Sequence, residues 1–230
     1  MSIAERTARE QRLANACSIV ERCRKCAIGS TRQNSVYGEG DGCAELMVVG
    51  EGPGETEDKL GRPFVGRAGE LLDRMLLAID LPRESVYICN TVKCRPTFDD
   101  GVRLRNRAPD PAEMANCRPY LDEQIDVIRP SVLLALGAPA AKSFLGPTFS
   151  ITKQRGQWYA GPHGIPFIAT FHPAYLLRMT GGELTAVKRL VWDDLKSIRT
   201  KLDELKNSGP PLPKVEQIDL FGKPIETQLP

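Results

Sequence analysis

The chain has 230 residues, 41% of them hydrophobic and 26% charged, with a formal net charge of +2. That is enough for one α/β domain with a real core, in the composition of an ordinary globular protein. A charge so close to balance excludes a histone-like polycation, and the lack of a long apolar run or leader peptide excludes a membrane or exported protein, so the expected location is the cytoplasm.

The first residues, MSIAERTAREQRLANAC, read as a charged helix. A CxxC pair follows at Cys23 and Cys26. Leu46–Gly50 is the first of four apolar, β-branched runs that read as buried strands. The others are Val86–Asn90, Val132–Leu136 and Phe167–Phe171. Between them lie helical patterns. Ala68–Ile79 carries Leu71, Leu72, Met75, Leu76 and Ile79 on one face, and Asp110–Ile128 opens on Asp-Pro, a cap followed by a favoured first helical residue. Leu184–Leu205 is a long last helix with Val187, Leu190, Val191, Leu195 and Ile198 on its stripe. From about Asn207 the sequence is proline-rich and without period, which reads as a disordered tail.

Strands alternating with helices imply a mainly parallel sheet covered on both faces, with ligands bound beyond the carboxyl ends of the strands. Three of the four strand ends carry chemistry: Gly50-Glu51-Gly52-Pro53-Gly54, Cys89-Asn90 and Phe171-His172-Pro173. The glycine loop is not a phosphate loop. It lacks a following Gly-Lys-Ser/Thr, and Glu55, Glu57 and Asp58 would repel phosphate. Glu51 reads either as a surface acid or as a carboxylate that polarises water or stabilises a cation. Phe64, in Gly61–Gly69, reads as a core aromatic or a stacking platform. His172 is one of two histidines and reads as a cap, a core residue or a rigidly held catalytic group; His163 sits in a hairpin-turn pattern.

Seven cysteines without an export signal point to metal ligands or free thiols. Cys23 and Cys26 with the remote Cys94 and Cys117 suit either zinc or a four-iron cluster, or else a lone turn and core thiols. Cys17, Cys43 and Cys89 read as ordinary thiols. Arg62, Arg67, Arg95, Arg103, Arg105, Arg107, Lys153, Arg155 and Arg178 lie near these loops and would make a phosphate-binding rim if clustered.

In order, CRKC, GEGPGETEDKLGRPFVGRAG, VYICNTVKCRP, a late cysteine, ITKQRG and TFHPAYLLR resemble the family-four uracil-DNA glycosylases, over roughly Cys17 to Arg199. The resemblance implies a three-layer α/β/α sandwich with a short, mainly parallel four-stranded sheet in a domain spanning residues 1–206, and a tail over 207–230. It implies a monofunctional enzyme of base excision repair acting on uracil-containing DNA, monomeric and nucleoid-associated. A structural 4Fe-4S cluster would sit on Cys23, Cys26, Cys94 and Cys117. The base would be bound by Gly52, Phe64, Asn90 and His172. Phe64 would stack on a flipped uracil, Asn90 read its Watson–Crick edge, His172 face its carbonyl oxygen, and Glu51 lie near the sugar. Arg67 and the run Pro173, Ala174, Tyr175, Leu176, Leu177 and Arg178 would contact DNA, with Leu176 and Leu177 as wedges.

The segment 97–109 is longer than the family pattern and basic, and is expected to add three arginines to the DNA contact. It lacks the histidine with which a related branch captures the sugar covalently, so turnover is expected. The alternatives are a uracil-DNA-binding or crosslinking relative with little turnover, and a redox protein. In the tail, QIDLF is similar to the motif by which bacterial repair proteins bind the polymerase sliding clamp, with Gln217, Leu220 and Phe221 as its key positions.

Overall fold

The computed structural model of the chain describes residues 2–208. Its strands are β1 (Glu39–Gly40), β2 (Leu46–Gly50), β3 (Tyr87–Asn90), β4 (Thr97–Asp99), β5 (Leu104–Asn106), β6 (Val132–Leu136), β7 (Trp158–Ala160) and β8 (Pro166–Thr170). Its helices are α1 (Ile3–Arg22), α2 (Ala27–Thr31), α3 (Glu55–Leu60), α4 (Arg67–Leu77), α5 (Pro111–Ile128), α6 (Ala138–Leu145), α7 (Ile151–Gln154), α8 (Pro173–Leu176) and α9 (Gly181–Asn207).

The four expected strands form the parallel centre of one sheet, in the order β3-β2-β6-β8. The sheet is nevertheless six-stranded, not four-stranded, because β1 and β7 add antiparallel edges. Strands of two or three residues carry too little period to be read from sequence. Side chains alternate between the two faces. Leu46, Val48, Ile88, Leu134 and Ile168 meet α4, α8 and α9 through Leu72, Leu76, Leu176, Val191, Leu195 and Ile198. Met47, Val49, Cys89, Ala135, Phe167 and Ala169 meet α1, α5 and α6 through Leu13, Val20, Leu121, Ile125 and Ala141. The result is the expected three-layer α/β/α sandwich. Each buried Leu, Ile or Val contributes about 1.5–3 kcal/mol, against about 1 kcal/mol for a helix cap. The layers therefore hold the fold, while the caps set where helices begin.

The cap of α5 is where the sequence placed it. Asp110 Oδ1 accepts from Glu113 N at 2.8 Å, and Glu113 Oε2 accepts from Asp110 N at 2.9 Å. Ser2 and Glu5 form the same reciprocal pair on α1. One helix face needs correction. Leu190, expected on the apolar stripe of α9, is 41% exposed, whereas Asp194 is buried and bonded to Arg155 and Thr170. No helix among the described residues is long and apolar enough to cross a membrane. The tail motif of Gln217, Leu220 and Phe221 lies outside the described residues.

Register positions the site. Gly50 pairs with Asn90, and Leu136 with Thr170, so the strands end at a common edge. From β2 the chain passes to α4 on one face; from β6 it passes to α6 on the other. The crevice between those diverging connections is where such sheets bind ligands.

Candidate active site

A cleft of about 790 Å³ opens there. Glu51, Gly52, Phe64, Arg67, Asn90, His172, Ala174, Tyr175 and Arg178 all line it, so most of the residues singled out from sequence converge. Three do not line it: Pro173, Leu176 and Leu177. Pro173 is buried, and Leu176 is buried in the core beneath α8. Leu176 is therefore no DNA wedge: in the single turn of α8 one of two adjacent leucines must face inward. Leu177, 37% exposed, is the outward one.

Asn90 and Phe64 stand side by side in the cleft lining, against Gly50. A Cβ on Gly50 would meet the Phe64 ring at 2.5 Å and the Asn90 carboxamide oxygen closer still. Glycine at the end of β2 is thus required for the two side chains to share one wall. Asn90 is buried, and its Oδ1 has no hydrogen-bond partner among the described residues. An unpaired buried carbonyl costs about 1–3 kcal/mol, a cost that a bound donor would offset.

Phe64 has φ of 49°, the left-handed region, and is buried. Side chains that the sequence reading did not single out for this role hold it there. Arg83 Nη1 donates to Phe64 O at 3.2 Å and Nη2 to Pro63 O at 2.6 Å. Glu57 Oε1 accepts from Val65 N and Gly66 N at 3.0 and 2.9 Å, while Oε2 accepts from Gly54 N at 3.1 Å. Glu57 thereby ties the Phe64 loop to the glycine loop. The sequence did contain one signal for it: Gly54 to Glu57 has capping-box spacing. For Arg83, which reaches across many residues of chain, no local pattern exists.

The His172 ring stacks on Phe64 with centroids 5.5 Å apart. His172 Nδ1 accepts from Ala174 N at 3.1 Å, so in the neutral ring the proton is on Nε2. Burial, aided by the nearby Arg178 cation, lowers its pKa to about 4. The imidazole is therefore a neutral N–H donor throughout the physiological range. Glu51 differs. Its main-chain oxygen accepts from Val92 N at 3.2 Å and from the Thr91 hydroxyl, anchoring it to the end of β3. Burial raises the pKa of its carboxyl.

The basic rim is smaller than the sequence suggested. Arg62 pairs with Glu39, Arg105 with Asp100, Arg107 with Glu113 and Arg155 with Asp194. Arg95 is buried, bonded to Asn106. Of the three arginines expected to serve DNA from segment 97–109, only Arg103 makes no ion pair among the described residues. Arg67 and Arg178 share that state. His163 pairs with Asp126 at 2.6 Å in the β7–β8 turn, away from the cleft.

Behind the glycine loop lie the cysteines. A Cβ on Gly52 would touch Val92 at 2.8 Å, and Val92 packs with Ile28, Cys94, Cys117 and Cys26. Cys23 caps the end of α1. Arg32 Nη1 donates to Cys94 Sγ at 2.8 Å. Among the described residues no three His, Cys, Asp or Glu stand close enough to hold one metal ion. A single zinc, with bonds of about 2.3 Å, would need its thiolates in mutual contact. Cys26, Cys94 and Cys117 pack together around Val92 with Arg32 donating to Cys94 Sγ, a sulfur-rich setting of the kind that suits a polynuclear cluster. Next to them Lys93 is fully buried. Its Nζ donates to Asn90 O at 2.7 Å and to Gln124 Oε1 at 2.6 Å, which links this wall to the end of β3.

The family model described as the Uracil DNA glycosylase superfamily matches residues 37–196. The chain is similar to the type-4 uracil-DNA glycosylase of Thermotoga maritima, 45% identical over 196 residues, covering 84% of this chain and 95% of that one. Against the type-4 enzyme of Sulfurisphaera tokodaii it is 43% identical over 185 residues, covering 77% and 79%. The type-5 uracil-DNA glycosylase of Pyrobaculum aerophilum is 30% identical over 192 residues, covering 76% and 80%.

Proposed function

Since this chain belongs to the uracil-DNA glycosylase superfamily, we propose that Glu51, Asn90 and His172 divide between them the excision of a uracil turned out of DNA into the cleft. The protein is a uracil-DNA glycosylase: it hydrolyses the N-glycosidic bond of uracil in DNA and leaves an abasic site. The base must leave the stack before that bond can be reached, which a cleft of this size at a sheet edge permits.

The observation that carries the assignment is the buried, unpartnered Oδ1 of Asn90 beside the Phe64 ring. Uracil offers N3–H to that oxygen and O4 to the carboxamide N–H. Cytosine presents the reverse pattern and is rejected. Phe64 supplies the stacking surface and Gly52 lets the backbone come close. As the bond breaks, uracil leaves with negative charge, and the Nε2–H of a neutral His172 stabilises it at O2. The sugar gains oxocarbenium character, which the Glu51 carboxylate stabilises while orienting water. Arg67, Arg178 and the exposed Leu177 meet the DNA. The test is direct. Incubation with a uracil-containing oligonucleotide followed by alkali should cleave the strand at the uracil, and an intact strand would refute the assignment.

Cys23, Cys26, Cys94 and Cys117 are proposed to hold a 4Fe-4S cluster, which when bound supplies structural bracing without a redox step. The cysteine shell lies against Val92 and the glycine loop, so its loss should loosen the wall that carries Glu51. We expect purified protein to be brownish, with iron and acid-labile sulfide in equal amount, and Cys117→Ser to lose colour and melt at lower temperature. Colourless protein carrying zinc would refute the cluster. The tail segment with Gln217, Leu220 and Phe221 is proposed as a ligand for the sliding clamp, appended to a catalytic unit spanning residues 1–206.

A further inference from the structure

We propose that the β4–β5 hairpin inserts its tip into the DNA duplex beside the extruded nucleotide, with Val102 as the wedge and Arg103 on an adjoining phosphate. This rests on the glycosylase reading of the cleft and extends it to a second DNA-binding element.

Val102 is 89% exposed, and no large apolar residue among the described ones is more so. Phe98 and Leu104 are about half exposed. Phe98 stands opposite Arg105 in register, and Leu104 opposite Asp99, so the two apolar side chains project from opposite faces of the ribbon. Neither face nor tip is covered. A two-stranded hairpin alone is marginal in water, yet this one is fixed by its own polar groups. Asp99 Oδ1 accepts from Gly101 N at 2.9 Å, and Asp100 Oδ1 accepts from Val102 N and Arg103 N at 3.0 and 2.9 Å. Asp100 also pairs with Arg105. At the root, Arg107 Nε donates to Thr97 O at 3.0 Å while its guanidinium grips Glu113, and Arg95 Nε donates to Asn106 Oδ1 at 2.7 Å. The hydrogen bonds thus spend three arginines and both aspartates on shape and leave Val102 and Arg103 outward.

A preset apolar tip gains affinity because little ordering is lost on binding. DNA is the occupant for two reasons. The hairpin is continuous with the cleft, whose wall includes Pro96, Asn106, Arg107 and Ala108. Arg103 on the hairpin and Arg67 and Arg178 in the cleft lining make no ion pair among the described residues, and call for an anionic partner. Apolar side chains entering base steps are a standard means of holding a distorted duplex. Leu177, at the end of α8, and Val102 on the hairpin would bracket the vacated position from two sides.

The test compares single-turnover uracil release from one oligonucleotide, single-stranded and paired opposite guanine, for wild type, Val102→Asp, Val102→Leu and Arg103→Ala. Val102→Asp should lower the duplex-to-single-strand ratio about tenfold or more, and Val102→Leu should keep it. Arg103→Ala should flatten the salt dependence of duplex binding. An unchanged ratio in Val102→Asp, or an equal fall on both substrates, overturns the proposal. Failure of wild type to release uracil from either substrate would overturn the glycosylase reading itself, a distinct result.

Discussion

His172→Ala is expected to lower single-turnover uracil release about 10²–10³-fold while DNA binding persists, the size of effect seen when one preorganised donor to a developing anion is removed. The reason is the local geometry. With Nδ1 accepting from Ala174 N, the only N–H of the neutral ring is on Nε2. Because burial holds the pKa near 4, this donor does not titrate across the working range. The pH profile separates the two groups. His172 is the donor-competent neutral form above about pH 4, so no loss is expected as pH falls through 6.5. Glu51 must be ionised, and because burial raises its pKa, release declines on the acid side at a higher pH than an exposed carboxylate would give. Single-turnover rates from pH 4 to 9 should therefore show one acid limb that survives in His172→Ala and is absent in Glu51→Gln. A limb that disappears in His172→Ala would assign the titration to the histidine and refute the neutral-donor account.

Asn90→Asp should cost about 10²-fold or more in release, the equivalent of roughly 3 kcal/mol. The change is isosteric, so packing against Gly50 and Phe64 is kept. It removes the N–H that serves uracil O4 and places a charge where, among the described residues, the side-chain oxygen has no partner. A buried unpaired carboxylate is costly or takes up a proton. The variant should accordingly melt at lower temperature near neutral pH than at acid pH, relative to wild type. Release at the wild-type rate would show that Asn90 does not read the base.

Much of this arrangement was legible from local pattern. Strands Leu46–Gly50 and Val132–Leu136 are continuous apolar runs because both sheet faces are covered, and the structure reproduces their bounds. The Asp110-Pro111 start of α5 was legible because a cap is a contact within one turn. Glu51, Asn90 and His172 stood out because each stands at or just past the end of a strand, and parallel strands of one sheet end at one edge. What escaped was long-range or two-sided. Arg83, the clamp on Phe64, acts across a loop. The orientation of Leu176 against Leu177 depends on which residue of one short turn faces the core. The pairing that removes Arg62, Arg105, Arg107 and Arg155 from the basic rim needs acids brought from elsewhere in the fold, except for Arg105 and Arg107 within their own hairpin and helix start.

The sequence by itself determined the three-layer class, the central strands, and which side chains stand at their carboxyl ends, since period and capping are local properties of the chain. Only the tertiary structure decided that Asn90 is buried with an unsatisfied oxygen, that His172 is neutral with its proton on Nε2, and that the hairpin presents Val102 rather than a field of arginines. Burial, proton placement and charge pairing are set by which distant groups come to lie within a few ångströms, and no period in the chain encodes that.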